Sequence, residues 1–197
     1  APFSTDRTCG AGSEGAARLF GGTGLTSVAS ADRASWTTRN VLPMKINRGS
    51  ARNVGGMDFI VPGEPVPMTP QAYRPDADAF FGIALPPTSR RELCTFTTDG
   101  RLYAAGGPVP TGSVHLSVCE EYTPSTDAWA TKTACSLGAR YGAAGFDGNG
   151  IGYVAAGKNS SDIAQNTIAS YTRDAWASIA PTMPAPKSEI SNQGTCL

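Results

Sequence analysis

The most regular of the residues able to do chemistry in this chain are cations. Arg48, Arg90 with Arg91, Arg140 and Lys187 each follow an aromatic residue and a Pro- or Gly-containing loop, and Arg7 precedes them as an opening counterpart. Twelve of the sixteen basic residues are arginine. Planar guanidinium groups gathered around one mouth would hold carboxylates in bidentate fashion. Arginines recurring once per unit would equally tie down neighbouring loop carbonyls, with no ligand needed. His115, the only histidine, stands at an alternating position in 113-SVHLSVCEEY-122, either as a general base or as an ordinary strand residue. Glu120 and Glu121 are consecutive on that strand, so they point to opposite faces and form no acid–base dyad. Asp76 and Asp78 in 74-RPDADAF-80 lack the Gly and Glu that complete a calcium loop, so a solvated turn is expected there.

The five cysteines, Cys9, Cys94, Cys119, Cys135 and Cys196, form no CxxC pair and hence no zinc pattern. Cys119 and Cys135 flank a hairpin that turns near Ser125 and Thr126, which would set them across two strands, as a disulfide or as two buried thiols. Cys94 is expected as a small apolar residue, because a reactive thiol needs a partner base. Asn159-Ser160-Ser161 is a glycosylation acceptor triplet. A start at Ala1 without methionine is expected of a chain whose signal peptide was removed, or of a trimmed or proteolysed one. Together these features point to a secreted protein.

The elements that must position these residues are short strands. Lys and Arg number 16 against 16 Asp and Glu, so nothing in the net charge suggests nucleic acid or an anionic membrane. The 23 Gly and 15 Pro are too much punctuation for long helices. No apolar run approaches ~20 residues, so no membrane span is expected. Four segments end in a small apolar strand and glycine: 17-ARLFGG-22, 57-MDFIVPG-63, 101-RLYAAGG-107 and 151-IGYVAAG-157. Each precedes a segment ending in an aromatic: 29-ASADRASW-36, 73-YRPDADAF-80, 122-YTPSTDAW-129 and 171-YTRDAW-176. The aromatics Trp36, Phe80, Trp129 and Trp176 are 44, 49 and 47 residues apart. The second pattern reads as a hairpin, one strand ending at Tyr and the next resuming at Trp. A unit of ~45–50 residues with several short strands is a propeller blade. The chain thus reads as one domain, 1–197, with repeats 7–45, 46–87, 88–137 and 138–186.

The Gly doublet, the Tyr and Trp around a Pro/Asp turn and the following Arg resemble the kelch repeat, over about Arg7 to Lys187. The resemblance implies an all-β fold, a β-propeller with four antiparallel strands per blade. The first copy departs with Ala29 at the Tyr position, the second with Phe80 for Trp and Pro62-Gly63 for the doublet, and the fourth with Gly157-Lys158. Kelch propellers have more than four blades. The tail 187-KSEISNQGTCL-197 resembles the start of a fifth unit, matching 140-RYGAAGFDGNGI-151. Either the tail closes the ring, with Cys196 linked to Cys9, or further blades complete it, from this polypeptide or a partner chain.

Enzymatic propellers fit less well. Copper-radical oxidases on kelch-like propellers require two histidines along with tyrosines, and this chain has one histidine. The segment 30-SADRASW-36 resembles a sialidase Asp-box with its aromatic one position short. The expectation is therefore a non-catalytic extracellular module, with no cofactor or metal, that binds a protein or glycan. The loops 64-EPVPMTPQA-72, 108-PVPTGSV-114 and 158-KNSSDIAQN-166 and the basic rim of Arg48, Arg90, Arg91, Arg140 and Lys187 would form its face. A carbohydrate-active enzyme, or a structural subunit of a larger assembly, are the alternatives.

Overall fold

The computed structural model describes residues 9–13, 16–21, 28–31, 35–44, 46–63, 69–111, 114–180 and 182–187. They form sixteen strands: β1 (Cys9–Ser13), β2 (Ala16–Phe20), β3 (Val28–Ala31), β4 (Trp36–Thr38), β5 (Ser50–Val54), β6 (Met57–Val61), β7 (Gln71–Arg74), β8 (Ala79–Gly82), β9 (Cys94–Thr98), β10 (Arg101–Ala105), β11 (Cys119–Thr123), β12 (Ala128–Lys132), β13 (Ala144–Gly148), β14 (Ile151–Ala155), β15 (Ile168–Thr172) and β16 (Ala175–Ile179). Each successive four make one antiparallel sheet in chain order. The protein is an all-β, four-bladed propeller arrangement. No helix among the described residues is long and apolar enough to cross a membrane.

Local sequence sets the hairpins. Gly55-Gly56, Asp99-Gly100 and Asn149-Gly150 join the first two strands of blades 2, 3 and 4, and all six residues have positive φ, between 51° and 86°. Two such residues in succession make a tight turn whose twist suits paired strands. The outer hairpin follows the expected register, with Tyr73 opposite Phe80, Tyr122 opposite Trp129 and Tyr171 opposite Trp176. In blade 1 the residue opposite Trp36 is Ala31, not Ala29. The short turn of 171-YTRDAW-176 is the better template for that copy than the longer ones.

The innermost strands lie side by side, β1 on β5, β5 on β9 and β9 on β13; among the described residues no contact of that extent joins β13 to β1. Each blade has a leading face toward its predecessor and a trailing face toward its successor. Three seams hold three apolar clusters. Phe20 of blade 1 meets Tyr73 of blade 2 with ring centres 5.7 Å apart, beside Cys9, Ala11 and Ile60. Phe59 of blade 2 meets Tyr122 of blade 3 at 5.4 Å, beside Leu102 and Ala104. Phe96 and Tyr103 of blade 3 meet Tyr171 of blade 4 at 5.5 and 5.0 Å, beside Val154 and Trp176. Such aromatic pairs contribute about 0.5–1.5 kcal/mol each beyond their buried area. Gly152 makes the third seam fit, since a Cβ there would overlap the Phe96 ring. At the first seam the buried Arg18 guanidinium is paired with the buried Asp58 carboxylate.

A polar latch accompanies the aromatics. The Tyr73, Tyr122 and Tyr171 hydroxyls donate to Asp78, Asp127 and Asp174 at 2.6, 2.8 and 2.9 Å. Each Asp also accepts a backbone N–H from the preceding blade, Asn40 at 3.0 Å, Ala84 at 2.8 Å and Thr133 at 2.8 Å. The indole N–H of Trp129 then donates to Ala84 O at 2.8 Å, and that of Trp176 to Thr133 O at 2.9 Å. Asp78 is thus a fastening between blades rather than the merely solvated turn residue expected. A carboxylate that accepts two such bonds is favoured in its charged form, and Asp78 and Asp174 both sit below the usual carboxylate range, through the Tyr73 hydroxyl and the Thr133 N–H respectively.

Candidate functional site

The recurring cations do not lie at one repeated place, and Arg7 lies outside the described residues. Arg90 and Arg140 correspond: each stands four residues before its innermost strand. Arg48 corresponds instead to Glu92 and Gly142, because Glu92 N–H donates to Arg48 O at 3.2 Å and Gly142 N–H to Glu92 O at 3.1 Å. This bonded series crosses from seam to seam, and the Arg48 guanidinium closes on the Glu92 carboxylate at 3.0 Å. Arg90 is buried; its Nη2 donates to Ala104 O at 2.9 Å and lies 2.9 Å from Glu120 Oε2. Neither Glu120 oxygen accepts an aligned hydrogen bond, so that contact is an ion pair rather than a fork. Arg140 is also buried, and its Nη2 donates to Thr167 Oγ1 at 3.1 Å. Burial lowers the pKa of both guanidiniums, opposed by Glu120 at Arg90 and by Cys135 at Arg140. Arg91 is half-buried, with its N–H donating to Pro108 O at 3.1 Å, and Lys187 is exposed. The five cations therefore have distinct environments rather than forming one exposed ring.

A second group of residues does share a surface. The loops after β10 and β14 fold back on themselves through matched bridges, Pro108 with His115 and Lys158 with Ala164. Inter-blade chain crosses each of them, Arg91 N–H reaching Pro108 O and Tyr141 N–H reaching Lys158 O, both at 3.1 Å. That register makes Val114 and Ile163 equivalent, and they are 59 % and 60 % exposed. Tyr141 lies between the two loops. Its ring centre is 4.6 Å from that of His115, Lys158 Nζ stands 5.7 Å over it, and its hydroxyl donates to Asp162. A cation over an aromatic face and two bare aliphatic tips suit contact with another molecule's surface. Sequence reasoning placed the loops but missed Tyr141 and the two aliphatics; Val114 lies six residues after Pro108 and Ile163 five after Lys158, so only the bridges, not equal spacing, make them equivalent.

Acid–base chemistry has little support from this geometry. His115 Nδ1 is buried without a hydrogen-bond partner among the described residues, so no described carboxylate orients the ring through that nitrogen. Glu120 and Glu121 do face opposite ways, toward Arg90 and toward Tyr103, whose hydroxyl donates to Glu121 at 2.6 Å. A cleft of about 110 Å³ lies between blades 2 and 3, lined by Pro62, Pro70, Pro86, Pro87 and Arg90. Small-molecule sites run to about 300–1,000 Å³, so this one is too small for a sugar chain.

The expectation of a Cys119–Cys135 disulfide is corrected, while the Cys9–Cys196 link involves a residue outside the described ones. Cys9, Cys94, Cys119 and Cys135 are buried free thiols, and Cys196 lies outside the described residues. Cys119 is paired across the hairpin with Lys132, not with Cys135, which lies beyond the strand end with its N–H on Ser117 O at 2.8 Å. Burial pushes all four thiols up, Cys9 and Cys94 to about 12. Asn159 opens the loop after β14; its Oδ1 accepts the N–H groups of Ser161 at 3.0 Å and Ile163 at 3.1 Å.

No family model and no curated protein matches the sequence. Among solved structures the chain is similar to that of YjhT, with a TM-score of 0.79 and 14 % identity, over 94 % of this chain and 68 % of that one. At that identity the likeness concerns the fold alone, and it is the propeller fold that the two chains share.

Proposed function

We propose that this chain is a non-catalytic binding module of kelch type, working outside the cell, which holds a protein or glycan on the loop face of blades 3 and 4. The kelch reading rests on the Tyr and Trp of the outer hairpins and the glycines that end the second strands. One observation carries the binding reading: Val114 and Ile163 stand bare at equivalent loop tips, with Tyr141, Lys158 and His115 between them. An aliphatic and aromatic centre with polar groups around it is what an interface core needs. Arg91 and Lys187 extend the surface at its edges as a basic rim. The Asn159 triplet belongs to the same loop, and a glycan on its Nδ2 would leave both Oδ1 bonds in place. Thiols as buried as these are poor nucleophiles and do not require a reducing compartment.

The test is to apply labelled protein to arrays of glycans and of secreted proteins. Val114→Asp combined with Ile163→Asp is expected to weaken a specific signal about tenfold or more, with the melting temperature unchanged. A signal that survives this variant and disappears with Arg91→Ala and Lys187→Ala would move the site to the rim. Turnover of chromogenic glycosides would replace the binding reading with an enzymatic one.

A further inference from the structure

We propose that the trailing face of blade 4 is an unfilled seam, and that its occupant is a further four-stranded blade bearing the Tyr…Asp-x-Trp hairpin. The face is built as the trailing face of blade 3 is built. Phe146 and Tyr153 stack with ring centres 5.1 Å apart and planes 12° apart, against 5.0 Å and 3° for Phe96 and Tyr103. Phe96 and Tyr103 are 0 % and 4 % exposed under blade 4, whereas Phe146 is 37 % exposed and Tyr153 half-buried. Ile151, Ile168 and Ile179 lie on the same face and are likewise only half-buried.

The latch is half-made there as well. Ala84 and Thr133, four residues after Phe80 and Trp129, give their N–H to an Asp and their carbonyl to a Trp of the following blade. Ala180 stands four residues after Trp176, exposed, with neither bond among the described residues. The main chain already heads toward such a blade. Lys187 N–H on Gln165 O at 2.9 Å and Met183 N–H on Asn166 O at 2.9 Å repeat the bonds by which the chain enters blade 4, Arg140 N–H on Leu116 O at 3.2 Å and Cys135 N–H on Ser117 O at 2.8 Å. The seam is thus a continuation of an interface formed three times already.

A second copy of this chain does not suit the face. Its uncovered leading face, that of blade 1, has Ala31 where the latch needs Tyr, and by sequence Ala34 where it needs Asp. Trp36 on that face is 57 % exposed. The occupant is instead a blade whose leading face carries a small residue at the place of Gly152, with the tyrosine, aspartate and tryptophan of the hairpin.

The experiment lengthens the chain by repeating residues 141–187 after Lys187, which presents blade 4's own leading face to its trailing face. Amide hydrogen exchange in β13 and β14 is expected to slow about tenfold or more relative to the 197-residue chain. Asp174→Ala made in the appended copy alone should reverse part of that protection. Phe146→Asp in the original blade should abolish it, while leaving the melting temperature of the 197-residue chain within about 2 °C. Exchange in β13 and β14 unchanged by the added blade overturns the proposal. So does a stable dimer of the 197-residue chain that Phe146→Asp dissolves, since the occupant would then be a second copy.

Discussion

Blades 3 and 4 carry the same hairpins, the same stacked Phe–Tyr pair and an arginine at the same place before the innermost strand, yet their surroundings differ. Blade 3 is covered on both faces and its Arg90 lies against the buried Glu120. Blade 4 is covered on one face, and Arg140 has Thr167 Oγ1 as its hydrogen-bond acceptor, with Ala169 at the position of Glu120. The arginine is therefore not retained for an ion pair. What the two positions share is a guanidinium that donates within its own blade, to Ala104 O and to Thr167 Oγ1, and the carboxylate is an addition of blade 3. The comparison separates what each unit needs to fold as a blade from what its neighbours impose on it.

The largest expected effect breaks the pair in blade 3. Arg90→Met leaves Glu120 buried and unpaired and should cost about 3–5 kcal/mol in denaturant unfolding, whereas adding Glu120→Leu should recover most of it. Arg140→Met should stay within about 1 kcal/mol of the parent, because no carboxylate is orphaned and the methionine keeps most of the packing. Equal losses at the two positions would mean that Arg140 has a function that its contacts do not reveal. Next come the stacked rings. Phe96→Ala opens a cavity between covered blades and should cost about 3–5 kcal/mol, against about 1 kcal/mol or less for Phe146→Ala on the half-exposed face.

Smaller effects sharpen the comparison at the latches. Asp127→Ala and Asp174→Ala each strand a tyrosine hydroxyl and a backbone N–H, and should cost about 1–2 kcal/mol apiece, equal within about 0.5 kcal/mol. The smallest effect is in pH. Asp78 and Asp174 titrate below their unfolded values, so their stabilisation is complete above the ordinary aspartate value of about 3.9 and is lost as pH falls through the folded pKa. The melting temperature should be flat from neutral down to about pH 4–5 and fall below it. Asp174→Ala should make that fall shallower.

Much of the architecture was legible because the copies repeat at the level of side chains. Tyr122 and Trp129 announce a hairpin wherever they recur, and Gly55-Gly56, Asp99-Gly100 and Asn149-Gly150 fix its inner counterpart. The misreadings share a cause. Ala29 and Ala31 are the same residue type two positions apart, so only the pairing with Trp36 distinguishes them. Arg48 looked like a copy of Arg90, but the backbone ladder sets it level with Glu92. Cys119 and Cys135 looked equidistant from a turn, but the strand ends before Cys135 and the hairpin partner is a lysine. Burial was the least legible property. Phe96-Tyr103 and Phe146-Tyr153 are alike in type and stacking, and only the presence of another blade decides which pair meets water. Likewise, nothing local to Arg140 announces that its counterpart of Glu120 is an alanine.

The buried cysteines make the first and third seams self-reporting. With thiols this deep and this weakly acidic, a bulky alkylating reagent at neutral pH can reach sulfur only after the surrounding strands part. Cys9 times the opening of the first seam, and Cys94, Cys119 and Cys135 time that of the third. Mass spectrometry of alkylated peptides would therefore compare how often the first and third seams breathe, without any probe having been introduced.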